Sequence, residues 1–147
     1  MSAIASFYHL PTDKIIGLRE VWPNSFEYTR EHGTEHFDDY NWSGYCIVAV
    51  LEYLKVKKDI DLSESRYNLL FPDAYDNGTW FLDKQLKDEY LEKVNAKLFS
   101  SKELKSAADS WFRNGLTPIE PLRAGLKLIE KSLKMVDDHS IMLVQVG

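Results

Sequence analysis

The chain has 147 residues, 44% of them hydrophobic and 28% charged, with a formal net charge of −5. That length suits one domain, residues 1–147, with a core of its own and no need of a disulfide staple. The acidic balance gives no cationic excess for displacing counterions from a phosphate backbone, which argues against nucleic acid as partner, and the longest apolar run, residues 45–51, is far short of the ~20 residues that cross a bilayer.

Residues 3–11, AIASFYHLP, are β-prone and stop at Pro11; the chain's closing residues, SIMLVQVG at 140–147, form the clearest strand pattern. The two ends are expected to share a sheet. Between them the chain reads mainly as helix. A short helix over 12–21 turns Ile15, Ile16 and Leu18 inward before Pro23, and another over 24–32 ends at Gly33. Residues 44–57 hold Ile47, Val50, Leu51 and Leu54 at helical spacing behind Ser43 as N-cap, with Cys46, Ala49 and Tyr53 widening the apolar side, so this central helix is expected to be covered on more than one side.

DLSESRYNLL suggests a short helix capped by Ser63, and FPDAYDNGTWFL suggests turns with a small hairpin. Asp83 caps a predicted helix along Leu86, Tyr90, Leu91, Val94 and Leu98. Ser100 with Glu103 forms a capping box, with Phe99 and Leu104 as its staple, and that helix is expected to end at Asn114-Gly115. Thr117 with Glu120, and Pro118 at the first helical position, predict a long helix to about Met135 with Ile119, Leu122, Leu126, Ile129 and Leu133 as one stripe. Asp137-Asp138 turn the chain into the final strand. The expectation is an α+β domain of five or six helices packed on a small sheet that includes both terminal strands.

Few residues point to chemistry. Cys46, the only cysteine, stands near a helix start, where a thiolate is favoured, but it adjoins Ile47 on the apolar side and reads as a small core residue. His32-Gly33-Thr34-Glu35-His36 matches the H-x-x-E-H pattern of inverted zinc peptidases, which need both histidines on one stable helix. Gly33 and Thr34 lie inside the motif, so a polar loop is the better reading. Asp38-Asp39 and Asp137-Asp138-His139-Ser140 read as turns, Ser43-Gly44 lacks the glycine pattern of a nucleophile elbow, and no phosphate-cradling loop occurs. No cofactor is expected. With a single cysteine and no basic stretch leading into an apolar one after Met1, the expected location is the cytoplasm.

The strongest local bias lies in residues 20–45, where Trp22, Phe26, Tyr28, Phe37, Tyr40, Trp42 and Tyr45 stand among six carboxylates and only Arg30. The net of five negative charges there equals the formal charge of the whole chain. An acidic, aromatic surface suits a basic protein partner, with Trp22, Tyr28, Tyr40 and Trp42 as anchors and Glu35, Asp38 and Asp39 as steering charges; the other reading is that the aromatics cap the core under a long loop and the acids solvate it.

The N-terminal AIASFYHLP followed by a helix, and the long helix running into SIMLVQVG, resemble the YfbM-like group of small uncharacterised bacterial proteins; WSGY at 42–45 is similar to sequences of bacterial hypothetical proteins. The resemblance implies an α+β fold and a bacterial cytoplasmic origin, and assigns no functional residue. The expected function is a non-enzymatic interaction module, immunity or antitoxin-like. The alternative is a small hydrolase using His32, Glu35 and His36 with a metal, or Cys46 with a histidine.

Overall fold

The computed structural model describes residues 3–113 and 115–147. Its frame is a four-stranded antiparallel sheet, in the order β2-β1-β4-β3, built from β1 (Ala5–Pro11), β2 (Thr34–His36), β3 (Thr79–Leu82) and β4 (Ser140–Val146). The two ends of the chain share it as expected: β1 and β4 pair from Ala5 opposite Val146 to Pro11 opposite Ser140. Ile4 and Gly147 prolong the pairing with reciprocal backbone bonds of 2.9 and 3.0 Å.

Side chains alternate across a strand, so β1, β3 and β4 each feed two cores. Phe7, Trp80, Leu82, Met142 and Val144 enter the larger one, which is completed by α3 (Tyr45–Lys58), α5 (Lys84–Tyr90), α6 (Ser101–Phe112) and α7 (Glu120–Met135). Tyr8, Leu10, Phe81, Ile141 and Leu143 enter the smaller one, with α1 (Ile15–Val21), α4 (Arg66–Leu70) and Tyr28 of α2 (Phe26–His32). With both faces covered, β4 buries five successive residues, Ser140 through Val144, and its sequence is apolar without alternation.

The central helix α3 buries Cys46, Ile47, Ala49, Val50, Leu51 and Leu54 and packs on both α6 and α7. Gly44, not Ser43, holds the cap position; Ser43 stands one residue before it, its Oγ accepting from the Tyr45 N–H at 3.2 Å, and Asp59 ends the helix in the left-handed region at φ 56°. The Leu122, Leu126, Ile129 and Leu133 stripe of α7 is buried, with Ile119 half-buried at its head. Ser100 caps α6, its Oγ accepting from the Glu103 N–H at 3.1 Å, and Phe99 and Leu104 are both buried beside it.

Six of the seven described α-helices have seven or more residues, and α4 is little longer than one turn. Several local expectations give way to tertiary demands. Ile16 is 75% exposed, because α1 is short and Ile15 and Leu18 alone reach the core. Ser65, not Ser63, caps α4, its hydroxyl accepting from the Asn68 N–H at 3.2 Å. The TWFL segment makes no local hairpin; as β3 it pairs with β4 from Thr79 opposite Gln145 to Leu82 opposite Met142. Asp83 does cap α5, but the helix closes at Tyr90, and 3-10 turns carry Leu91–Lys93 and Ala96–Leu98, leaving Leu98 62% exposed. Helix α7 starts at Glu120 with Pro121 in its first turn and Ile119 at the cap position, so Thr117 is not its cap. Helix α6 ends at Phe112 with Arg113 left-handed, and Asn114 lies outside the described residues.

Candidate functional site

The sheet divides the residues expected to form one aromatic and acidic face. Trp22 packs edge-on to Phe71, with ring centroids 5.0 Å apart, and beside Phe81. Tyr28 stacks near His32 at 4.3 Å and donates its hydroxyl to the Lys14 carbonyl at 2.8 Å. Glu35, placed opposite Tyr8 by strand register, accepts from the Tyr8 hydroxyl at 2.9 Å. These three lie on the side of the smaller core. Tyr40 lies on the other side, where it donates to the Pro121 carbonyl at 2.9 Å and packs on the larger core. Trp42 is 49% exposed, in a shallow depression against α7 with Asp39, Lys127 and Lys131 around it. Asp38 and Asp39 are exposed in the turn before it.

The elements proposed for catalysis are also taken apart. His32 closes α2 and His36 lies in β2, so the helical spacing on which the zinc-peptidase pattern depends does not arise. Among the described residues no group of three His, Cys, Asp or Glu is arranged to hold a metal ion. Cys46 is buried, and burial pushes its thiol pKa up, partly offset by a hydrogen bond with the Tyr40 hydroxyl. Its neutral form is favoured, which suits a packing role rather than nucleophilic attack. Asp137 Oδ1 accepts from the His139 N–H at 2.8 Å and the Ser140 hydroxyl at 2.9 Å, and these bonds lower its pKa. His9 Nε2 lies 2.8 Å from the Ser140 Oγ. The serine thus sits between carboxylate and imidazole, whereas in a triad the histidine holds that middle place.

A different surface gathers the features of a binding site. Helix α3 sets Tyr45, Val48 and Glu52 on one flank at i, i+3 and i+7 spacing, outside the core stripe. Trp111 near the end of α6 faces them, with its ring centroid 6.5 Å from that of Tyr45. Tyr75 comes from the turns before β3 and meets Trp80 edge-on at 5.8 Å and 84°. Together these enclose a cleft of about 610 Å³, within the size range of small-ligand sites. A narrower cleft of about 200 Å³ between α3 and α6 adjoins it, sharing Glu52 and Trp111, with Ala49 and Ala107 along it and Val56 69% exposed at its rim.

Glu52 organises the larger cleft. Its carboxylate accepts a short hydrogen bond from the Tyr75 hydroxyl, and burial first, then that bond, pushes the Tyr75 pKa up to about 12. The phenol therefore stays a donor through the physiological range, and it holds the carboxylate in place. Glu52 and Asp76 both line the cleft, and no lysine or arginine does among the described residues. Lys55, one turn along from Glu52, lays its ammonium 4.4 Å from the centroid of the Tyr75 ring and 4.0 Å from Asp61 Oδ2. No local pattern marks this cleft, since its walls come from separated segments of the chain. The available signal was that Tyr45 and Glu52 fall off the core stripe of a helix otherwise buried.

No family model, curated protein or solved structure matches this chain, so the site is read from the chain's own residues.

Proposed function

We propose that the chain is a non-enzymatic protein-interaction module for a basic partner, with an immunity or antitoxin-like role in the cytoplasm, and that the paired clefts along α3 are its contact surface. The observation that carries this reading is the meeting of Tyr45, Tyr75, Trp80 and Trp111 around two carboxylates in the larger cleft. Aromatic side chains give large contact area for little lost rotamer freedom, and concentrate binding energy where they are desolvated. Carboxylates add attraction and orientation for a cationic surface. Among the described residues, no helix is long and apolar enough to cross a membrane. The hydrolase alternative has no supporting geometry: His32 and His36 lie on different elements, and Cys46 is buried with a raised pKa.

The test is an NMR titration of the labelled protein with a short lysine- and arginine-rich peptide, and with an acidic peptide of the same length. The expected result is saturable shifts from the basic peptide alone, confined to α3, the end of α6 and residues 75–80. Shifts confined to residues 34–42 would return the contact surface to the acidic segment around Trp42. Absence of localised binding by the basic peptide would overturn the reading.

A further inference from the structure

The larger cleft has the chemistry for one ligand class in particular. Glu52 and Asp76 are the charged side chains of its lining among the described residues, and with the Lys55 ammonium against the Tyr75 ring as the neighbouring cation the cleft keeps a net negative charge. Glu52 is held by the Tyr75 hydroxyl and does not need to be ordered when a ligand arrives, which lowers the entropic cost of binding. The aromatic rings supply faces, the electron-rich side of the ring, that attract ammonium and guanidinium groups. That attraction already operates at the cleft wall, where the Lys55 ammonium sits 4.4 Å from the Tyr75 ring centroid. At the opening stands Trp111, 40% exposed, with its ring tilted by 35° to Tyr45. This pair can flank the alkyl stem of a long side chain whose charged end reaches further in.

We propose that this cleft receives a single lysine or arginine side chain of the partner, its charge directed to Glu52 and its stem packed against Tyr45 and Trp111. The inference rests on the interaction-module reading and adds the recognition element. The adjoining cleft, with Ala49 and Ala107 along it, Val56 at the rim and Lys57 and Ser110 also in its lining, takes a neighbouring apolar side chain. The recognised segment is therefore a basic residue beside an apolar one, rather than a uniformly cationic tract. Glu52 positions charge and Trp111 provides area, so the two contribute through different physics and respond differently to salt.

Three short peptides separate the possibilities: one with a single lysine next to a leucine, one with norleucine replacing that lysine, and one with the leucine replaced by glycine. Binding is followed through the indole N–H resonances of Trp80 and Trp111. The lysine–leucine peptide is expected to bind about tenfold more tightly than the norleucine peptide, with a gap that narrows as salt rises. Glu52→Gln, which retains a hydrogen-bond acceptor for Tyr75, is expected to abolish most of that preference while leaving the norleucine peptide unaffected. Equal binding of the lysine and norleucine peptides would overturn the inference and leave an apolar cleft. A neutral disaccharide shifting the same indoles more strongly than the peptides would assign the cleft to sugars and overturn it as well. If the lysine- and arginine-rich peptide of the previous section binds but maps outside this cleft, the interaction-module reading stands and the inference fails; if that peptide binds nowhere, both fail.

Discussion

Asn68 is joined to Phe81 as a neighbouring strand would be: its Oδ1 accepts from the Phe81 N–H at 3.0 Å while its Nδ2 donates to the Thr79 carbonyl at 3.3 Å. The side-chain amide thus stands in for a peptide unit on the outer edge of β3. Ser65 fixes the amide by donating to the same Oδ1 at 3.0 Å. Unpaired edges invite pairing with other chains, and a buried N–H without a partner costs about 1–3 kcal/mol. Asn68→Ala is therefore expected to lower the free energy of unfolding by about 2 kcal/mol, measured by urea denaturation, and to raise aggregation on heating. A loss below the error of the measurement would mean that water replaces the amide on that edge.

Gly78 faces the opposite constraint, an excess of close neighbours. It sits at φ +66°, and a Cβ built there would lie 2.4 Å from the Val146 carbonyl oxygen. Its own carbonyl accepts from the Val146 N–H at 2.9 Å, which ties the turn beside the cleft to the end of β4. The left-handed backbone and the clash together predict a loss of about 2 kcal/mol or more for Gly78→Ala. Thermal unfolding of the variant checks this, and the expected fall in Tm comes with weakened basic-peptide binding, because the turn carrying Tyr75 and Asp76 shifts.

The legible parts of the fold are those whose cause is local. Ser100 lies three residues before Glu103 and accepts from its N–H, so that boundary was readable, although the Glu103 carboxylate turns to Lys58 and leaves the reciprocal half of the capping box unmade. The choice between Ser63 and Ser65 was not, because only Ser65 places Asn68 against a strand more than ten residues later. Likewise TWFL is four residues whose partner, β4, comes some sixty residues on, and its nearest visible signal was a turn. The aromatic bias of residues 20–45 was real as composition, but the sheet sends Trp22 and Tyr28 to one side and Tyr40 to the other. The candidate cleft was hidden for the same reason, since Glu52, Tyr75 and Trp111 meet only after α3 and α6 have packed.

Tyr75 gives stability a dependence on alkaline pH. Its pKa is raised from 10.0 to about 12 by burial, the Glu52 hydrogen bond and the charges of Glu52, Asp61 and Asp76, all of which favour the neutral phenol. A group raised in the folded state contributes stability that is fully present below its unfolded pKa and is lost as pH climbs through the folded value. Stability is therefore expected to hold up to about pH 10 and to decline between pH 10 and about 12. Half-buried Tyr40 shifts in the same direction and adds to the decline. In Tyr75→Phe the slope over that window flattens, although the variant starts lower for want of the hydrogen bond. Denaturant midpoints measured across the window test the sign; an unchanged slope would assign the alkaline loss to other tyrosines.

Cys46 offers a report on the larger core. The thiol is 4% exposed and its pKa is raised by burial, so both access and thiolate fraction are low in the folded protein. Alkylation by iodoacetamide is expected to be slower than for a free thiol by a factor of about a hundred or more, and to accelerate with denaturant in step with unfolding. Rapid labelling of the native protein would show that the α3 N-terminus opens locally and would revive a chemical role for this residue.

Trp42 and Trp111 are both partly exposed tryptophans, yet their surroundings predict different responses to a basic partner. Trp42 shares its depression with Lys127 and Lys131 as well as Asp39, so the charge around it opposes an incoming cation. Trp111 stands beside Glu52, in a cleft that also carries Asp76 and, among the described residues, no lining cation, although Lys57 lines the adjoining cleft. Trp111→Ala is therefore expected to weaken binding of a lysine- and arginine-rich peptide by about tenfold, or 1.4 kcal/mol, while Trp42→Ala combined with Asp38→Asn changes it less than threefold. Isothermal titration at low and moderate salt reads both variants, with a denaturation curve for each to confirm the fold. The reverse ranking would place the partner on the turn before α3, where the aromatic and acidic segment first suggested it.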